Sequence, residues 1–481
     1  MTMSKTSRAA MAALLCALPL AACAPTPPLG AAPAVRAPDS FKADASFGQS
    51  LSNGIWPQSA WWRAYGDAQL DALMAEGLRG APDMAAAQAR LKAAEAYRQQ
   101  ANAARLPTLD GNVSAGAMRE SYNEGIPPAF VPHGVHSTGT ANLSLDFDLD
   151  LWGKAKAALR AARADELAAR LDVDQARLTL STNIANAYAD LARLYAERDV
   201  AVDTIAERGA TRDLVARRYT TGLDTRAELK QADAAVPAAR ADLAEIDEQI
   251  GLTRNRLAAL LGAGPDRGLA ITRPVAMVAP RGIPRDASTN LIGQRPDVAA
   301  ARARVEAAAQ QIKVARADFY PAISLSALAG YESLGLSQLI KGSSSYGNVG
   351  PAVSLPIFHG GRIAGAYRQA RASYDEAVAD YDNSVVTAFH DVADAATSQS
   401  MLTVRLDQSR QALADAQEAY AVARQRYEGG LSTYLTVLTA EDTMLQDRRT
   451  VADLQARAFT LDVALVRALG GGFAGADSPR S

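Results

Sequence analysis

Two hydrophobic periods alternate along the 481-residue chain. After Pro107 the period is two: Thr108, Asp110, Asn112 and Ser114 alternate with Leu109, Gly111, Val113 and Ala115. A second run sets Thr140, Asn142, Ser144, Asp146, Asp148 and Asp150 against Ala141, Leu143, Leu145, Phe147, Leu149 and Leu151. Successive strand side chains point to opposite faces, so each run predicts a strand with one oily and one polar or acidic face. A loop containing Gly125, Pro127, Pro128, Pro132 and Gly134 joins the two into a hairpin, flanked by Tyr122, Phe130 and Trp152. After Pro321 the pattern returns, with Ile323, Leu325, Ala327, Ala329 and Tyr331 alternating with Ser324, Ser326, Leu328 and Gly330. Its partner run sets Val349, Val353, Leu355 and Ile357 against Asn348, Ala352 and Ser354. Pro351 and Pro356 remove ladder donors from that run and predict a bend or a sheet edge.

Elsewhere the period is helical and alanine-rich. Helices are expected over Asp67–Gly80 and, opened by Pro82 at a first turn, to Leu106. Two long Pro-free segments, Gly153–Arg218 and Gly361–Tyr427, would each be about 100 Å long as helices. They reverse at Gly222 and at Gly429-Gly430 into return helices, Leu223–Leu261 and Leu431–Leu469, the first kinked by Pro237. Helices of that length need partners, because none can bury its stripe alone. A return helix and a Pro-opened helix laid end to end would match one long helix, as in the wall of a cylinder. The Trp56, Trp61 and Trp62 region, the linker Gly262–Gln294 and the tail from Gly470 would then form a belt around its middle.

The chain is a duplication. Pro82-Asp83, Ala85-Ala86-Ala87, Ala89-Arg90, Ala93-Ala94 and Pro107 return as Pro296-Asp297, Ala299-Ala300-Ala301, Ala303-Arg304, Ala307-Ala308 and Pro321. Arg218-Tyr219, Gly222-Leu223 and Thr225 return as Arg426-Tyr427, Gly430-Leu431 and Thr433. The spacing of about 210 residues is far longer than the 20–50 of solenoid repeats, so two large homologous halves are implied. The expected class is mostly α with a small β part. Each chain contributes only four strands, whereas the smallest closed barrels use about eight, so the chain must oligomerise. Three copies would give a twelve-stranded barrel and a tube of twelve helices.

Composition narrows the chemistry. Residues 1–22 contain Lys5 and Arg8, no acid, and an apolar run from Ala9 to Leu20 too short to span a bilayer, as an export signal does. Leu20-Ala21-Ala22-Cys23 resembles a bacterial lipobox, cut before Cys23 and acylated there; ordinary cleavage after Ala24 also fits the small-x-small rule. With Cys16 inside the signal and Cys23 at the cut, the mature body has no thiol for disulfides, metals or catalysis. A net charge of −2 gives no pull toward nucleic acid. His133 and His136 share a loop that could hold a metal or simply be solvated. Beyond the signal no stretch of 18 apolar residues exists, so a membrane crossing would have to use β-strands. No nucleophile constellation or phosphate loop stands out, and Gly360-Gly361 is too weak a signal for a nucleotide site.

With the lipobox, the paired Pro-Asp strings and the paired Arg-Tyr turns, the chain resembles outer-membrane efflux proteins. These are the TolC-like exit ducts, and Trp61-Trp62, Leu70, Leu73 and Arg295-Pro296-Asp297-Val298 resemble their lipoprotein branch serving resistance-nodulation-division pumps. The resemblance implies a homotrimer whose twelve-stranded barrel continues as a periplasmic α-barrel, a periplasmic adaptor, an inner-membrane pump, contact with outer-membrane lipid and no cofactor or catalysis. The domains would be signal (1–22), anchored tether and start of the belt (23–55), first repeat (56–262), linker (263–294), second repeat (295–469) and tail (470–481). Ala24 in place of a retention Asp implies transfer to the outer membrane. Arg218, Tyr219, Gly222, Leu223, Arg426, Tyr427, Gly430 and Leu431 match the tips that meet the adaptor. Glu228 and Tyr427 match positions that hold a closed mouth, while Ser432, Thr436 and Thr439 replace the arginine and the aspartates of the best-known gate. Asp146, Asp148 and Asp150, in three copies, would give the upper lumen a cation-favouring field. A drug-efflux duct is the main expectation; an outlet for type I protein secretion or metal ions and, in another class, a lipid-anchored coiled-coil scaffold are the alternatives.

Overall fold

The computed structural model describes residues 26–36, 40–41, 46–47, 54–123, 125, 127–275 and 282–473. Cys23 and the signal lie outside them. The chain is mostly helical with one small sheet, in the order α1 (Ala68–Gly80), α2 (Pro82–Ala103), β1 (Thr108–Met118), β2 (His136–Leu149), α3 (Lys154–Thr220), α4 (Arg226–Leu260), α5 (Pro296–Ala317), β3 (Ala322–Leu334), β4 (Ser345–Ser354), α6 (Arg362–Glu428) and α7 (Tyr434–Ala468). The duplication is visible in helix lengths: α2 and α5 have 22 residues each, α3 and α6 have 67, and α4 and α7 have 35.

Boundaries differ from the sequence reading where local backbone chemistry intervenes. The helix opened by Pro82 stops at Ala103, three residues before Leu106, and the chain leaves it through turns such as Leu106 N–H to Ala103 O at 2.9 Å. Pro107 disfavours helical geometry at the residue before it. The return helices begin three residues after Leu223 and Leu431, because Thr225 and Thr433 are extended N-caps, with ψ of 162° and 160°. Helix α4 runs through Pro237 as a single element. Strand β2 starts at His136, ahead of Thr140, and β4 ends at Ser354, before Leu355 and Pro356.

The chain divides into two compact units, each assembled from separated segments. The first, residues 1–34, 92–168 and 302–380, holds the sheet. Its order is β1-β2-β3-β4, all antiparallel, so the two repeats join through β2 and β3. Pairing Leu109 with Leu145, Leu145 with Ala327 and Ala327 with Val349 puts every oily run on one face; Asp110, Ser144, Leu328 and Asn348 share the other. Apart from Leu336 and Leu339 over Gly139 at one end, the oily face is bare among the described residues: Leu109 is 66%, Val113 83%, Val349 75% and Val353 64% exposed. Pro351 sits within β4, which is a sheet edge, as the missing N–H requires. Where the strands meet helices, Trp152 stacks on Tyr320 at 4.8 Å, its indole N–H donates to Pro321 O at 2.7 Å, and Lys154 pairs with Asp318. The carboxylate of Asp150 lies beyond β2 and accepts the Ala155 and Lys156 amides at 3.0 and 2.8 Å, so it satisfies the start of α3.

The second unit contains residues 35–91, 169–301 and 381–481. Its main core gathers Trp61, Trp62 and Tyr65, then Leu70, Leu73 and Met74 of α1, against Ile184, Tyr188 and Leu191 of α3, Leu257 of α4 and Val463 of α7. Polar groups inside it are paired: Tyr65 donates to Asp462 at 2.6 Å and Tyr188 to Asp67 at 2.7 Å, while Asp67 also caps α1. Arg295, 6% exposed, donates to both oxygens of Asp297, to Asp391 and to Ala468 O. This is the physical content of the Arg-Pro-Asp string: Pro296 opens α5, and the guanidinium ties that opening to α6 and to the end of α7.

The exposed oily face yields a direct prediction. Leu143→Arg, at the centre of that face, should cost about 2–4 kcal/mol in a bilayer and deplete the protein from the membrane fraction, whereas Ser144→Arg on the polar face should leave it there. Membrane fractionation of the two variants reads the difference.

Candidate functional site at the helical hairpin tips

Each long helix reverses through the same device. At the end of α3, Gly222 N–H bonds Tyr219 O at 3.0 Å and Leu223 N–H bonds Arg218 O at 2.9 Å; at the end of α6, Gly430 bonds Tyr427 O at 3.0 Å and Leu431 bonds Arg426 O at 2.7 Å. These are Schellman caps, which require a left-handed residue; Gly222 (φ 76°) and Gly430 (φ 72°) supply it. The residue after that glycine commonly packs back on its own helix. Here Leu223 and Leu431 are 66% and 73% exposed. Two apolar knobs therefore stand free at the turns.

Beyond the turns the copies part company. In the second repeat Tyr427 is fully buried and Arg426 exposed, whereas in the first Arg218 is half-buried and Tyr219 is 39% exposed. Arg218 lies over the Tyr427 ring at 4.3 Å, donates to Tyr427 O at 2.8 Å and pairs with Asp224 at 3.3 Å. The Tyr427 hydroxyl donates to the same Asp224 carboxylate. Burial, reinforced by that carboxylate, holds the phenol well above its usual range, so it remains a donor. Tyr427 and Tyr434 lie together, 6.2 Å between ring centres, over Leu214, Val215, Val437, Met444 and Leu445.

One turn along, a second polar cluster lies between α3 and α7. Glu441 is fully buried, accepts from Thr211 Oγ1 at 3.1 Å and stands 3.5 Å from the Arg208 guanidinium, which also pairs with Asp442. Burial raises the Glu441 carboxyl above its usual range, and Arg208 opposes that only in part.

The residues matched to a gate occupy other roles. Glu228 accepts from Thr225 N–H at 2.6 Å and Thr225 Oγ1 at 2.9 Å, a capping box on α4; the acid that meets Tyr427 is Asp224. Ser432 Oγ bonds Ala423 O at 3.4 Å, Thr436 Oγ1 lies 3.3 Å from Thr433 Oγ1, and Thr439 bonds Leu435 O at 2.9 Å. All three turn back on their own hairpin. Thr433 makes no side-chain cap on α7, and Thr436, which stands where the first repeat has Glu228, has no carboxylate to supply the reciprocal half of a capping box. Asp146 and Asp148 lie on the polar sheet face opposite Ser326 and Ser324, apart from Asp150. Asp224, Arg208, Thr211 and Tyr434 are functional neighbours that sequence reasoning missed. Asp224 had one visible signal, its replacement by Ser432 between the shared Gly-Leu and Thr of the paired strings.

The chain has twin hairpins with glycine-capped turns and a four-stranded sheet with a largely bare oily face, and the outer membrane efflux protein model fits residues 73–263 and 287–471. The chain belongs to that outer membrane efflux protein family. It is 31% identical over 97% of its length to the pyoverdine export outer membrane protein OpmQ of Pseudomonas putida, covering 98% of that protein. It is 37% identical to the fusaric acid resistance protein FusA of Burkholderia cepacia, over 66% of this chain and 60% of that one. The crystal structure of the outer membrane protein VceC from Vibrio cholerae is similar, with a TM-score of 0.82 and 43% identity, over 87% of this chain and all of that one (100%).

Two measurements test the asymmetry of this efflux protein's tips. Thr225→Ala should cost about 1 kcal/mol of protection at the start of α4, whereas Thr433→Ala should change little at α7, read by amide hydrogen exchange. The Glu441 carboxyl, raised on folding, favours the folded cluster below the unfolded value of about 4.5 and loses that contribution as pH rises through its raised value. Glu441→Gln should therefore raise the thermal midpoint at pH 7 and flatten its dependence on pH above the unfolded carboxyl value. An unchanged profile would refute this account of Glu441.

Proposed function

We propose that this protein is a passive, homotrimeric export duct of a tripartite efflux system. It passes small toxic organic compounds from an inner-membrane pump and a periplasmic adaptor to the outside. The single observation that carries this reading is the sheet: one continuous oily face, one polar face and two open edges, in a family of outer-membrane efflux proteins. Hydrocarbon admits such a sheet only when it is closed, and four strands cannot close alone. Three copies give twelve strands, with the polar faces of Asp146 and Asp148 around a wet lumen. The duct performs no catalysis; the partner pump supplies the energy. Cys23 is the site of lipid attachment in this reading, and the barrel and the lipid together fix the protein in the outer membrane.

The cargo follows from breadth of support rather than from a pocket. Fusaric acid resistance and pyoverdine export, the activities in the names of two relatives, both concern small organic molecules, and a water-filled duct need not bind what it passes. Leu223 and Leu431 are the adaptor's contacts, since an exposed apolar knob on a rigid turn is a preorganised anchor for a partner helix.

Purified protein in planar bilayers should give trimer-dependent channels; a protein that runs as a monomer and gives none would overturn the duct. Leu223→Asp with Leu431→Asp keeps both glycine caps and should abolish drug resistance in cells while leaving outer-membrane insertion and conductance intact. Unchanged resistance would remove the tips as the docking site.

A further inference from the structure

The duplication carries a prediction about the joint between copies of the chain. In the first hairpin, Leu214, Val215, Arg218 and Asp224 border the place that Tyr427 occupies, with Thr211 and Leu223 on the same stretch of the hairpin. Their counterparts in the second hairpin are Ala419, Val422, Ala423, Arg426, Leu431 and Ser432, and these line an open groove of about 740 Å³. No described residue of the same chain fills it. Val422 is 48% exposed where Leu214 is 9% exposed. The counterpart of the buried plug Tyr427 is Tyr219, the one that stands 39% exposed at the tip of the first hairpin. Each chain thus offers one filled groove, one empty groove and one unused plug of the matching shape.

We propose that in the trimer the groove of the second hairpin takes Tyr219 of the next copy, with Arg426 over its ring as Arg218 lies over Tyr427. Repetition of one contact around a closed ring requires this, because hairpins alternate first, second, first, and every second joint falls between chains. The proposal rests on the trimeric reading above. It also assigns the two kinds of joint unequal strength. Within a chain the phenol and the guanidinium share the Asp224 carboxylate. Between chains Ser432 stands in its place, and Ala416 stands where Arg208 meets Glu441 and Asp442. The joint between copies keeps the stacking and loses the charge-assisted bonds, so it is the seam that parts first when the mouth widens.

The test uses the full-length protein in outer membranes. Tyr219→Cys with Ser432→Cys, treated with a short bismaleimide, should give chains linked to one another on a denaturing gel. The control pair Asp224→Cys with Tyr427→Cys should link only within a chain. An intact trimer in which the control reacts and the test pair gives no inter-chain product overturns the joint. A protein that is monomeric by native mass spectrometry overturns the trimer and the joint together. Ser432→Asp restores the missing acceptor and should raise the dissociation temperature of the trimer by several degrees, a gain that Tyr219→Phe reduces by deleting the hydroxyl. A gain that Tyr219→Phe leaves undiminished, or no gain at all, overturns the pairing of these two residues.

Discussion

Hydrocarbon offers no partner to a backbone N–H or C=O, and much of this molecule follows from that constraint. The sheet of β1 to β4 has the side-chain pattern of a lipid-facing surface, oily on one face and polar on the other, but it leaves the outer edges of β1 and β4 unpaired within the chain. An open sheet with such a face is a liability in water as well as in lipid. Association of copies removes the edges and covers the polar face in one step. Pro351 is tolerated in β4 for the same reason that edges tolerate proline generally, since only one side of that strand is engaged within the chain.

Duplication met this constraint economically in sequence but left two copies free to diverge. The helices have kept their lengths to the residue, which is what packing along a continuous wall demands, because a one-residue insertion rotates a helical stripe by about 100°. The turns tolerate change more readily, and that is where the copies differ. Thr225 and Glu228 form a capping box that Thr433 and Thr436 cannot form, and Asp224 provides a carboxylate where Ser432 provides a hydroxyl. Each difference removes a charged acceptor from the second hairpin. The consequence is a stiff start to α4 and a looser start to α7, built from the same turn geometry.

Much of this was legible in the sequence, for identifiable reasons. The strands announced themselves because their period of two stands against long helical periods, with Pro107 and Pro321 at each switch. The glycine turns were legible because a Schellman cap needs a left-handed residue at one fixed position. What failed was the pairing of polar groups. Glu228 was matched to the closed mouth through the resemblance, although a Thr followed three residues later by Glu is itself the signature of a capping box. Asp150 read as the last member of an alternating run, yet it lies at the start of α3, where free amides draw a carboxylate more strongly than alternation does. For Asp224 the mismatch with Ser432 marked the position but not the role, because its partner Tyr427 reaches it only when two hairpins about 200 residues apart pack side by side.

Sharing one acceptor also determines how such a joint fails. Asp224 takes bonds from the Tyr427 hydroxyl and from Arg218, and Arg218 in turn covers the Tyr427 ring. In a site this buried the three groups are not independent, since losing the carboxylate leaves a phenol and a guanidinium with desolvated donors and no anion between them. The cluster therefore releases as a unit rather than bond by bond. Because burial keeps the phenol protonated, neutral-range changes in pH leave this donor intact. The exposed Leu223 and Leu431 stand at the turns beside this cluster, so the docking surface proposed above adjoins the group of bonds that must release together.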